Sequence, residues 1–352
     1  MYKILAINPG STSTKVAVYE DENLVFKYSI DHSTEELAKY PTINDQYEMR
    51  YEKILNILEE NNIRVEELNI IVGRGGPVAL LKSGAYLVDE VLVDKLRNDP
   101  LVHHASNLGG IIAYEMGKNL GIDALIYDAV STDELEDIAR LSGLKEIPRR
   151  SLIHTLNMRA SAIKVAKSMG KNYRDLNLIV AHLGGGLSIS IHEKGRMVDI
   201  VSDDEGAFSP ERAGLIPSGA LVDFCYKNDK ATVAKLLRGK GGLVSYLGTN
   251  DAREVEKMIE NKDEYAKLVY EAMAYQVAKS IGELATVVEG KVDGIILTGG
   301  MAYSKMLTGW IEKRVKFISQ VIVVPGENEL ESLAMGGLRV LRGEEKVHRF
   351  NQ

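Results

Sequence analysis

Hydrophobic positions near the start of the chain form two short runs separated by a polar turn. Residues 4–7 and 16–19 are apolar runs of strand length. Between them, residues 8–15 read Asn-Pro-Gly-Ser-Thr-Ser-Thr-Lys. Two strands joined by such a turn direct backbone N–H groups and hydroxyls at one point, with the ammonium of Lys15 beside them, which favours an anion and above all phosphate. For a single Gly-Ser-Thr turn, an ordinary hairpin is the alternative.

The same pattern returns in the second half of the chain. Residues 179–191 again run from an apolar strand through a glycine turn into an alternating strand. Alignment of Ala6 with Ala181 places Gly10 opposite Gly185 and Ser13 opposite Ser188. One copy in each half predicts two related domains that offer two phosphate-binding turns across a cleft.

The rest of the pattern alternates between strand and helix. Strands are predicted at 24–26, 69–72, 124–127, 294–297 and 321–324, and helices at 47–58, 263–288 and 331–341. A capping box at residues 131–134, Ser-Thr-Asp-Glu, predicts a further helix start. This order is typical of α/β layers with sites at strand ends. No Pro/Ser-rich linker separates the halves, so a shared hinge is expected near 149–157.

Composition limits the classes of function. At 352 residues the chain exceeds what one core usually covers, and its 45% hydrophobic and 26% charged residues are ordinary for a globular protein. A net charge of −7 without a basic stretch argues against nucleic acid as a partner. The single cysteine, Cys225, excludes an internal disulfide and a cysteine-based metal site. No segment approaches a membrane span and the N-terminal apolar run is short for a signal peptide, so we expect a cytoplasmic protein without a membrane partner.

Charged side chains follow several strands and turns. Arg74 and Arg212 come after glycine-containing segments, where a guanidinium suits the bidentate binding of carboxylate or phosphate. Taken alone, each is more typical of a surface ion-pair arginine. Asp128 and Glu329 lie just past strand ends, one in each half, and Mg²⁺ needs only one or two carboxylates when phosphates supply further oxygens. The alternatives are a loop residue for Asp128 and a helix first turn for Glu329.

Four of the seven histidines lie near these motifs, at positions 103, 104, 154 and 182. Their spacing does not support a zinc site. His104 is interpreted as a structural, hydrogen-bonded histidine. His154, after Arg149 and Arg150, is the candidate for stabilising charge on a transferring phosphoryl group.

Taken together, three motifs resemble one family. Asn-Pro-Gly-Ser-Thr-Ser-Thr-Lys at 8–15, His-Leu-Gly-Gly-Gly-Leu-Ser at 182–188 and Leu-Thr-Gly-Gly at 297–300 are similar to those of the short-chain carboxylate kinases, the acetate and butyrate kinase family. The resemblance runs from residue 3 to about 340. It implies an α/β fold of two duplicated ribonuclease-H-like domains around a central cleft, as in the superfamily of sugar kinases, actin and heat-shock chaperones. The expected domains are 1–154 with 330–352, and 155–329.

The resemblance also implies roles for individual residues. Arg74, Asp128, His154 and Arg212 match catalytic positions of the family, and His103 and Asn107 match a segment that binds the acid. Gly76 is also assigned to the acid, at a position where this chain departs from the family pattern. Magnesium is assigned to Asn8 and Glu329. The positions implied for nucleotide and phosphate binding are Asn8, Ser11, Ser13, Lys15, His182, Gly184, Gly185, Gly186, Ser188, Asp251, Arg253, Gly299 and Gly300.

Departures from acetate kinases point towards butyrate kinases. The first turn differs from the acetate kinase pattern Asn-Ala-Gly-Ser-Ser-Ser-Leu-Lys, and Gly75-Gly76-Pro77 replaces Val-Val-His after Arg74. If the second valine of that run lines the acyl pocket, Gly76 leaves room for more methylenes, each worth about 0.8 kcal/mol when buried. Isobutyrate, isovalerate, acetate and propionate remain alternatives.

The implied reaction is a reversible phosphoryl transfer from ATP to a short-chain carboxylate, giving ADP and an acyl phosphate, with Mg²⁺. The resemblance also implies a homodimer or higher homo-oligomer through the second domain. Two rival interpretations remain. A sugar kinase of the same superfamily would use an aspartate as base, and a non-catalytic nucleotide switch would carry a partner-binding extension.

Overall fold

The computed structural model describes residues 1–350 and divides the chain into two compact units. Unit 1 comprises residues 1–133 and 328–350, and unit 2 comprises Glu134–Glu327. The chain therefore passes from unit 1 to unit 2 after Asp133, earlier than the hinge expected near residues 149–157. Residues just after 133 belong to unit 2 because the Glu136 N–H donates to the Val198 carbonyl (3.0 Å) and the Met197 N–H donates to the Glu134 carboxylate (3.1 Å).

Strands and helices alternate along most of the described chain. The strands are β1 (Lys3–Pro9), β2 (Ser13–Glu20), β3 (Asn23–Asp31), β4 (Ile70–Arg74), β5 (Ala85–Leu87), β6 (Ala124–Tyr127), β7 (Asn177–Leu183), β8 (Leu187–Glu193), β9 (Arg196–Val201), β10 (Gly294–Gly299), β11 (Val321–Pro325) and β12 (Val347–His348). The helices are α1 (Thr34–Leu37), α2 (Tyr47–Glu60), α3 (Glu90–Asn98), α4 (Asn107–Leu120), α5 (Thr155–Ser168), α6 (Ser218–Lys227), α7 (Lys230–Leu237), α8 (Gly242–Leu247), α9 (Ala252–Glu260), α10 (Glu264–Ala285), α11 (Lys305–Val315) and α12 (Glu329–Leu341).

Unit 1 is built on a seven-stranded sheet of order β12-β5-β6-β4-β1-β2-β3. The strands β1, β2 and β3 are consecutive antiparallel neighbours, whereas β4 joins β1 and β6 joins β4 in parallel. The central strand β1 is buried along most of its length, as expected for a strand covered on both faces. Helices α4 and α12 both pack on β1 and β4. The C-terminal ends of β1 and β4 therefore lie side by side, and the same two helices support both strands.

Unit 2 repeats the same order of strands in a five-stranded sheet, β11-β10-β7-β8-β9. Again three consecutive strands are antiparallel, and β10 and β11 extend the sheet in parallel from β7. The core of this unit surrounds helix α10, whose Tyr270, Met273 and Ile281 are fully buried. The two sheets confirm the predicted duplication of an α/β domain.

The register of the two hairpins differs from the simple alignment. In unit 1 Ala6 faces Ala17, whereas in unit 2 Ala181 faces Ile189. Aligning Ala6 with Ala181 without a gap therefore superposes the incoming strands but not the outgoing ones. The second turn is shorter, because Leu183 already pairs with Leu187.

The predicted helix start at 131–134 is wrong. Residues 129–136 form no helix, and only a short 3-10 segment at Asp137–Arg140 follows. The local reason is that the N–H of Thr132 donates to Ala129 and the N–H of Asp133 donates to Leu81, which ties this segment to a loop of unit 1. Among residues 1–350, no helix is both long and apolar enough to cross a bilayer.

Candidate active site

The first polar turn joins β1 to β2 and is closed by a hydrogen bond from Gly10 N–H to the Ser13 carbonyl (2.7 Å). Ser11 and Thr12 are exposed, Ser13 begins β2, and Lys15 projects from β2 into solvent. The predicted phosphate residues of this turn therefore share one exposed edge of unit 1.

Three predicted residues meet at the ends of β1, β4 and α12. The amide of Asn8 donates to one carboxylate oxygen of Glu329 (2.5 Å), and Arg74 forms an ion pair with the other. Asn8 is 6% exposed, and the side chains of Arg74 and Glu329 are each 20% exposed. The arrangement places a half-buried guanidinium and a carboxylate beside the phosphate turn, although Arg74 and Glu329 are 255 residues apart.

The predicted acyl pocket above Gly76 is wrong in its physical basis. A Cβ atom at Gly76 would lie 1.7 Å from Oδ1 of Asn107. The space freed by the glycine is thus filled by the Asn107 side chain, which is 1% exposed and donates from Nδ2 to the Val102 carbonyl (3.0 Å). Gly76 and Asn107 do lie together, but as packing partners. His103 is exposed.

Neighbouring His104 is hydrogen-bonded, in line with the structural role expected of it. Its Nδ1 accepts the Ser106 N–H (3.1 Å) and lies 2.8 Å from Ser106 Oγ. Burial, together with the charge of Arg74, lowers the pKa of His104.

Asp128 serves the backbone. It is 3% exposed, follows β6 with a positive φ of 42°, and accepts the Gly84 N–H at Oδ1 (2.7 Å). The Asp128 N–H in turn donates to the Gly84 carbonyl (3.1 Å). This reciprocal pair fixes the loop that leads into β5, so the carboxylate has a structural task whatever else it does.

The second glycine turn, residues 184–186, lies at the end of β7 in unit 2. A Cβ at Gly186 would lie 2.7 Å from the guanidinium carbon of Arg212, so the arginine rests directly on the turn. Ser209 links the two, because its Oγ donates to the Gly185 carbonyl (2.6 Å) and accepts the Arg212 N–H (3.2 Å). Arg212 also forms an ion pair with Asp203, which is 5% exposed and binds Arg238 as well (2.7 Å).

Burial lowers the pKa of Arg212, and the charge of Arg238 lowers it further. The ion pair with Asp203 keeps the guanidinium charged and aimed at the turn.

Two predicted histidines stack beneath this turn. The rings of His154 and His182 are 3.9 Å apart and tilted by 11°. Nδ1 of His154 lies 3.1 Å from Ser188 Oγ, and Nδ1 of His182 lies 3.2 Å from Asn157 Oδ1. Nε2 of His182 is also 3.0 Å from a Glu327 carboxylate oxygen, without the geometry of a hydrogen bond. The structure thus joins His154, His182, Ser188 and Arg212 in one cluster.

A cavity of about 780 Å³ opens beside the same turn, and all of its lining residues belong to unit 2. Its walls include five of the predicted nucleotide residues, namely Gly184, Gly185, Asp251, Arg253 and Gly300. Gly299 lies behind them with a φ of +91°, and a Cβ there would meet the Leu183 carbonyl at 2.4 Å, so only glycine fits. Hydrogen bonds from Arg253 lower the pKa of Asp251 to about 2.

Several residues of these sites were not among those predicted from the sequence. Arg50 is fully buried behind the first turn, Asp203 and Ser209 hold Arg212, and Glu256 lines the cavity. Glu256 accepts hydrogen bonds from Ser304 and from Tyr270 (3.0 Å), and burial raises the pKa of Tyr270. The only hint in the sequence was that Arg50 interrupts the apolar face of a predicted helix.

The residues assigned to magnesium fit the ion only in part. No group of three or more His, Cys, Asp or Glu side chains in the described chain could hold a metal by itself. Glu329 offers one carboxylate whose oxygens already accept from Asn8 and Arg74. Since each carboxylate oxygen has two lone pairs, Glu329 can take part in a Mg²⁺ site that phosphate oxygens and water complete.

The fold is that of the acetate and propionate kinases. The structure is similar to that of the acetate kinase of Porphyromonas gingivalis, with a TM-score of 0.80 and 21% identity. The alignment covers 97% of this chain and 100% of that one. A propionate kinase from Francisella tularensis subsp. tularensis SCHU S4 gives 0.73 at 19% identity over 96% of this chain and 99% of that one. An acetate kinase from Entamoeba histolytica gives 0.77 at 19% identity over 95% and 98%.

The sequence itself points to the same group. Residues 145–316 match the model of the Acetokinase family. That segment contains His154, the second glycine turn, Arg212, Asp251, Arg253 and the turn at 299–300. The chain therefore resembles the acetate kinases in fold along its length and the Acetokinase family in sequence over the matched segment.

Proposed function

We propose that this protein is an ATP-dependent kinase of short-chain carboxylates, and that butyrate is its preferred acid. The observation that carries the proposal is the cluster around the second glycine turn, where the predicted nucleotide residues line one cavity and Arg212 rests on Gly186. A nucleotide needs such a set of backbone N–H groups and a cation for its phosphates. The Acetokinase match over residues 145–316 supports the carboxylate as acceptor.

A carboxylate acceptor requires no general base. Its pKa lies near that of Glu and Asp side chains, so it is ionised at neutral pH. Catalysis must then come from positioning and from the neutralisation of charge. A sugar kinase, by contrast, would need a carboxylate as base.

In unit 1, Arg74 would neutralise the acid and Asn8, Ser11 and Ser13 would bind phosphoryl oxygens. Arg74 is already oriented by Glu329, so the guanidinium needs little reorganisation when an anion arrives. Asn8 and Glu329 would hold the magnesium ion. When bound, that ion supplies charge neutralisation on phosphate oxygens.

In unit 2, Arg212 and His154 would donate to phosphate oxygens that gain charge during transfer. Asp203 keeps Arg212 in place, and stacking on His182 fixes the His154 ring. The nucleoside would occupy the cavity next to Gly184, Gly185 and Gly300. A carboxylate there, Glu256, suits ribose hydroxyls as acceptor and would repel phosphates.

The preference for butyrate rests on the sequence of the first turn, which resembles butyrate kinases. Gly76 gives this preference no support, because the Asn107 side chain fills the space beside it. Acetate and propionate are the competing acids, and each methylene contributes a factor of about four in affinity at most, from roughly 0.8 kcal/mol of burial.

A hydroxamate assay tests the reaction and the acid preference together. The protein is incubated with ATP, Mg²⁺ and hydroxylamine, which traps an acyl phosphate but not a sugar phosphate. We expect hydroxamate with acetate, propionate, butyrate, isobutyrate and valerate, with the highest kcat/KM for butyrate. A maximum at another acid would overturn the butyrate preference alone. Consumption of ATP with glucose and with none of the acids would overturn the carboxylate kinase.

A further inference from the structure

A buried cation lies directly behind the first phosphate turn. Arg50 projects from α2 and is 0% exposed. Its Nη1 donates to the carbonyls of Gly10 (2.9 Å) and Ser13 (3.2 Å), and its Nη2 donates to the Ser11 carbonyl (3.3 Å). Its remaining partners are Thr14 Oγ1 (2.9 Å) and Gln46 Oε1 (2.9 Å). All of these hydrogen-bond partners are neutral oxygens, while the carboxylate of Glu36 favours the charged guanidinium without a hydrogen bond to it.

These contacts orient the whole turn. Because Arg50 binds three of its carbonyl groups and the His32 N–H binds the Thr12 carbonyl (2.8 Å), the carbonyls of residues 10–13 all have partners within unit 1. The N–H groups of exposed Ser11 and Thr12, by contrast, donate to no protein acceptor among residues 1–350. A turn whose carbonyls are bound and whose two exposed N–H groups have no protein acceptor is suited to an anion.

The guanidinium remains charged at neutral pH. Burial lowers the pKa of Arg50 to about 10, which is still well above 7. Near it, His32 is kept neutral because burial, and then the charge of Arg50, lower the pKa of the histidine. Nε2 of His32 lies 2.9 Å from Thr14 Oγ1, so a neutral ring can bond the same hydroxyl that Arg50 binds.

We propose that Arg50 is a positioning residue, which holds the turn carbonyls inward so that the Ser11 and Thr12 N–H groups bind a phosphoryl group. It acts through the turn and does not touch the phosphate. Its charge adds to the attraction, since a low-dielectric interior screens it weakly. The inference depends on the proposed function in one point only, which is whether the bound phosphoryl group belongs to ATP or to the acyl phosphate.

The test is a titration with inorganic phosphate, followed by the amide NMR signals of Ser11 and Thr12 in protein labelled with ¹⁵N-serine and ¹⁵N-threonine. In the wild type we expect saturable shifts of both signals. Arg50→Met should weaken this affinity by at least about tenfold, the effect of losing one charge-assisted set of bonds. Arg50→Lys should fall in between, because an ammonium keeps the charge but cannot reach all three carbonyls.

Lys53→Met is the matched control. Lys53 is a cation of the same helix that pairs with Glu36 (2.6 Å) and does not contact the turn, so wild-type affinity is expected. In hydroxamate kinetics Arg50→Lys should lower kcat with little change in KM for ATP, because the nucleoside cavity belongs to unit 2. A purely structural role would instead lower the amount of folded enzyme and leave kcat per folded molecule unchanged.

Each outcome has a defined meaning. Absent shifts in the wild type, or wild-type phosphate affinity in folded Arg50→Met, overturn the proposal. If Arg50→Met does not fold, Arg50→Lys and Gln46→Ala decide, since Gln46 anchors the guanidinium, and wild-type affinity in both overturns it. If the wild type makes no acyl phosphate yet the phosphate titration gives the expected order, the proposed function fails and the role of Arg50 stands.

Discussion

Arg74 and Arg212 are each held by a carboxylate, Glu329 and Asp203 respectively. Such pairs are half-buried, so each guanidinium is partly desolvated before any ligand arrives. A preoriented cation of this kind stabilises developing charge without reorganising. It can also be removed without unfolding the chain, provided that its carboxylate keeps another partner. Asp203 does, because Arg238 binds it too.

Replacement of Arg212 by Ala should therefore separate catalysis from folding. We expect kcat in the hydroxamate assay to fall by about a hundredfold or more, in the range measured for lost charge-stabilising donors. The thermal unfolding midpoint should change little. Arg314→Ala, which removes a surface ion pair with Glu271 in the same unit, is the control for a lost arginine. A near-normal kcat in Arg212→Ala would remove this side chain from the mechanism.

For individual residues, the sequence indicated which side chains belong to the site but not which side chains lie next to them. Arg74, Asn8 and Glu329 were identified by motif, and the structure brings them together. The prediction of free space beside Gly76 was wrong. Whether such space is free depends on which side chain packs there, and that side chain is Asn107 of helix α4, which the local sequence around Gly76 does not indicate. Arg50 was not identified either, because its carbonyl partners in the turn are 37 to 40 residues away along the chain.

Among the secondary-structure elements, the hairpins were the easiest to predict. Strand alternation is a local property, and β1, β2, β7 and β8 all lie where the pattern of apolar positions put them. The failed helix start at residues 131–134 shows the opposite case. The residues of a capping box are present there, but the backbone of residues 131–133 forms hydrogen bonds with Leu81 and no helix begins. Tertiary contacts overrode local preference there.

Strand β8 carries a histidine that gives unit 2 a dependence on pH. His192 is fully buried, with Nδ1 2.7 Å from the Tyr173 hydroxyl and Nε2 2.7 Å from Ser190 Oγ. Burial, helped by the charge of Arg159, lowers its pKa to about 3. The unfolded histidine titrates near 6.5, so between these values the unfolded chain binds a proton that the folded chain does not.

Stability should therefore fall as the pH is lowered from 7 towards 4, by up to about 1.4 kcal/mol per pH unit from this group. The measurement is urea unfolding at pH 7 and pH 5, with near-UV circular dichroism as the signal. In His192→Gln we expect a shallower dependence on pH than in the wild type. His103→Gln, at an exposed position, is the control that removes a histidine without touching the core. Equal slopes in His192→Gln and wild type would contradict the prediction.

For the molecule as a whole, the two units differ in the number of chain segments that form them. Unit 2 is a single segment, Glu134–Glu327, and its core clusters draw only on residues of that segment. Unit 1 combines two segments, since α12 packs on β1 and β4. The duplicated strand order was predictable from the repeated turn, whereas the crossing point after Asp133 was not, because no linker composition marks it.

We expect residues 134–327, expressed alone, to fold and to bind ATP. All residues that line the cavity lie within this segment, so the affinity for ATP should stay within about tenfold of the full chain. The isolated segment should make no acyl phosphate, because Asn8, Arg74 and Glu329 are missing. Isothermal titration calorimetry and the hydroxamate assay check the two parts, and a variant of the segment with Gly300→Val should lose the binding. Failure of a folded segment to bind ATP would contradict the assignment of the cavity.

The return of α12 to unit 1 has a consequence for biosynthesis. Residues 1–133 leave the ribosome first, yet α4 is then the only one of the two helices that pack on β1 and β4, because α12 is completed only when residues 329–341 have been made. At about 5–20 residues per second, that wait is on the order of half a minute. Unit 2 is completed earlier on the nascent chain, so unit 1 starts first and is finished last. The part of its sheet that α12 later covers is the surface that a chaperone would meet.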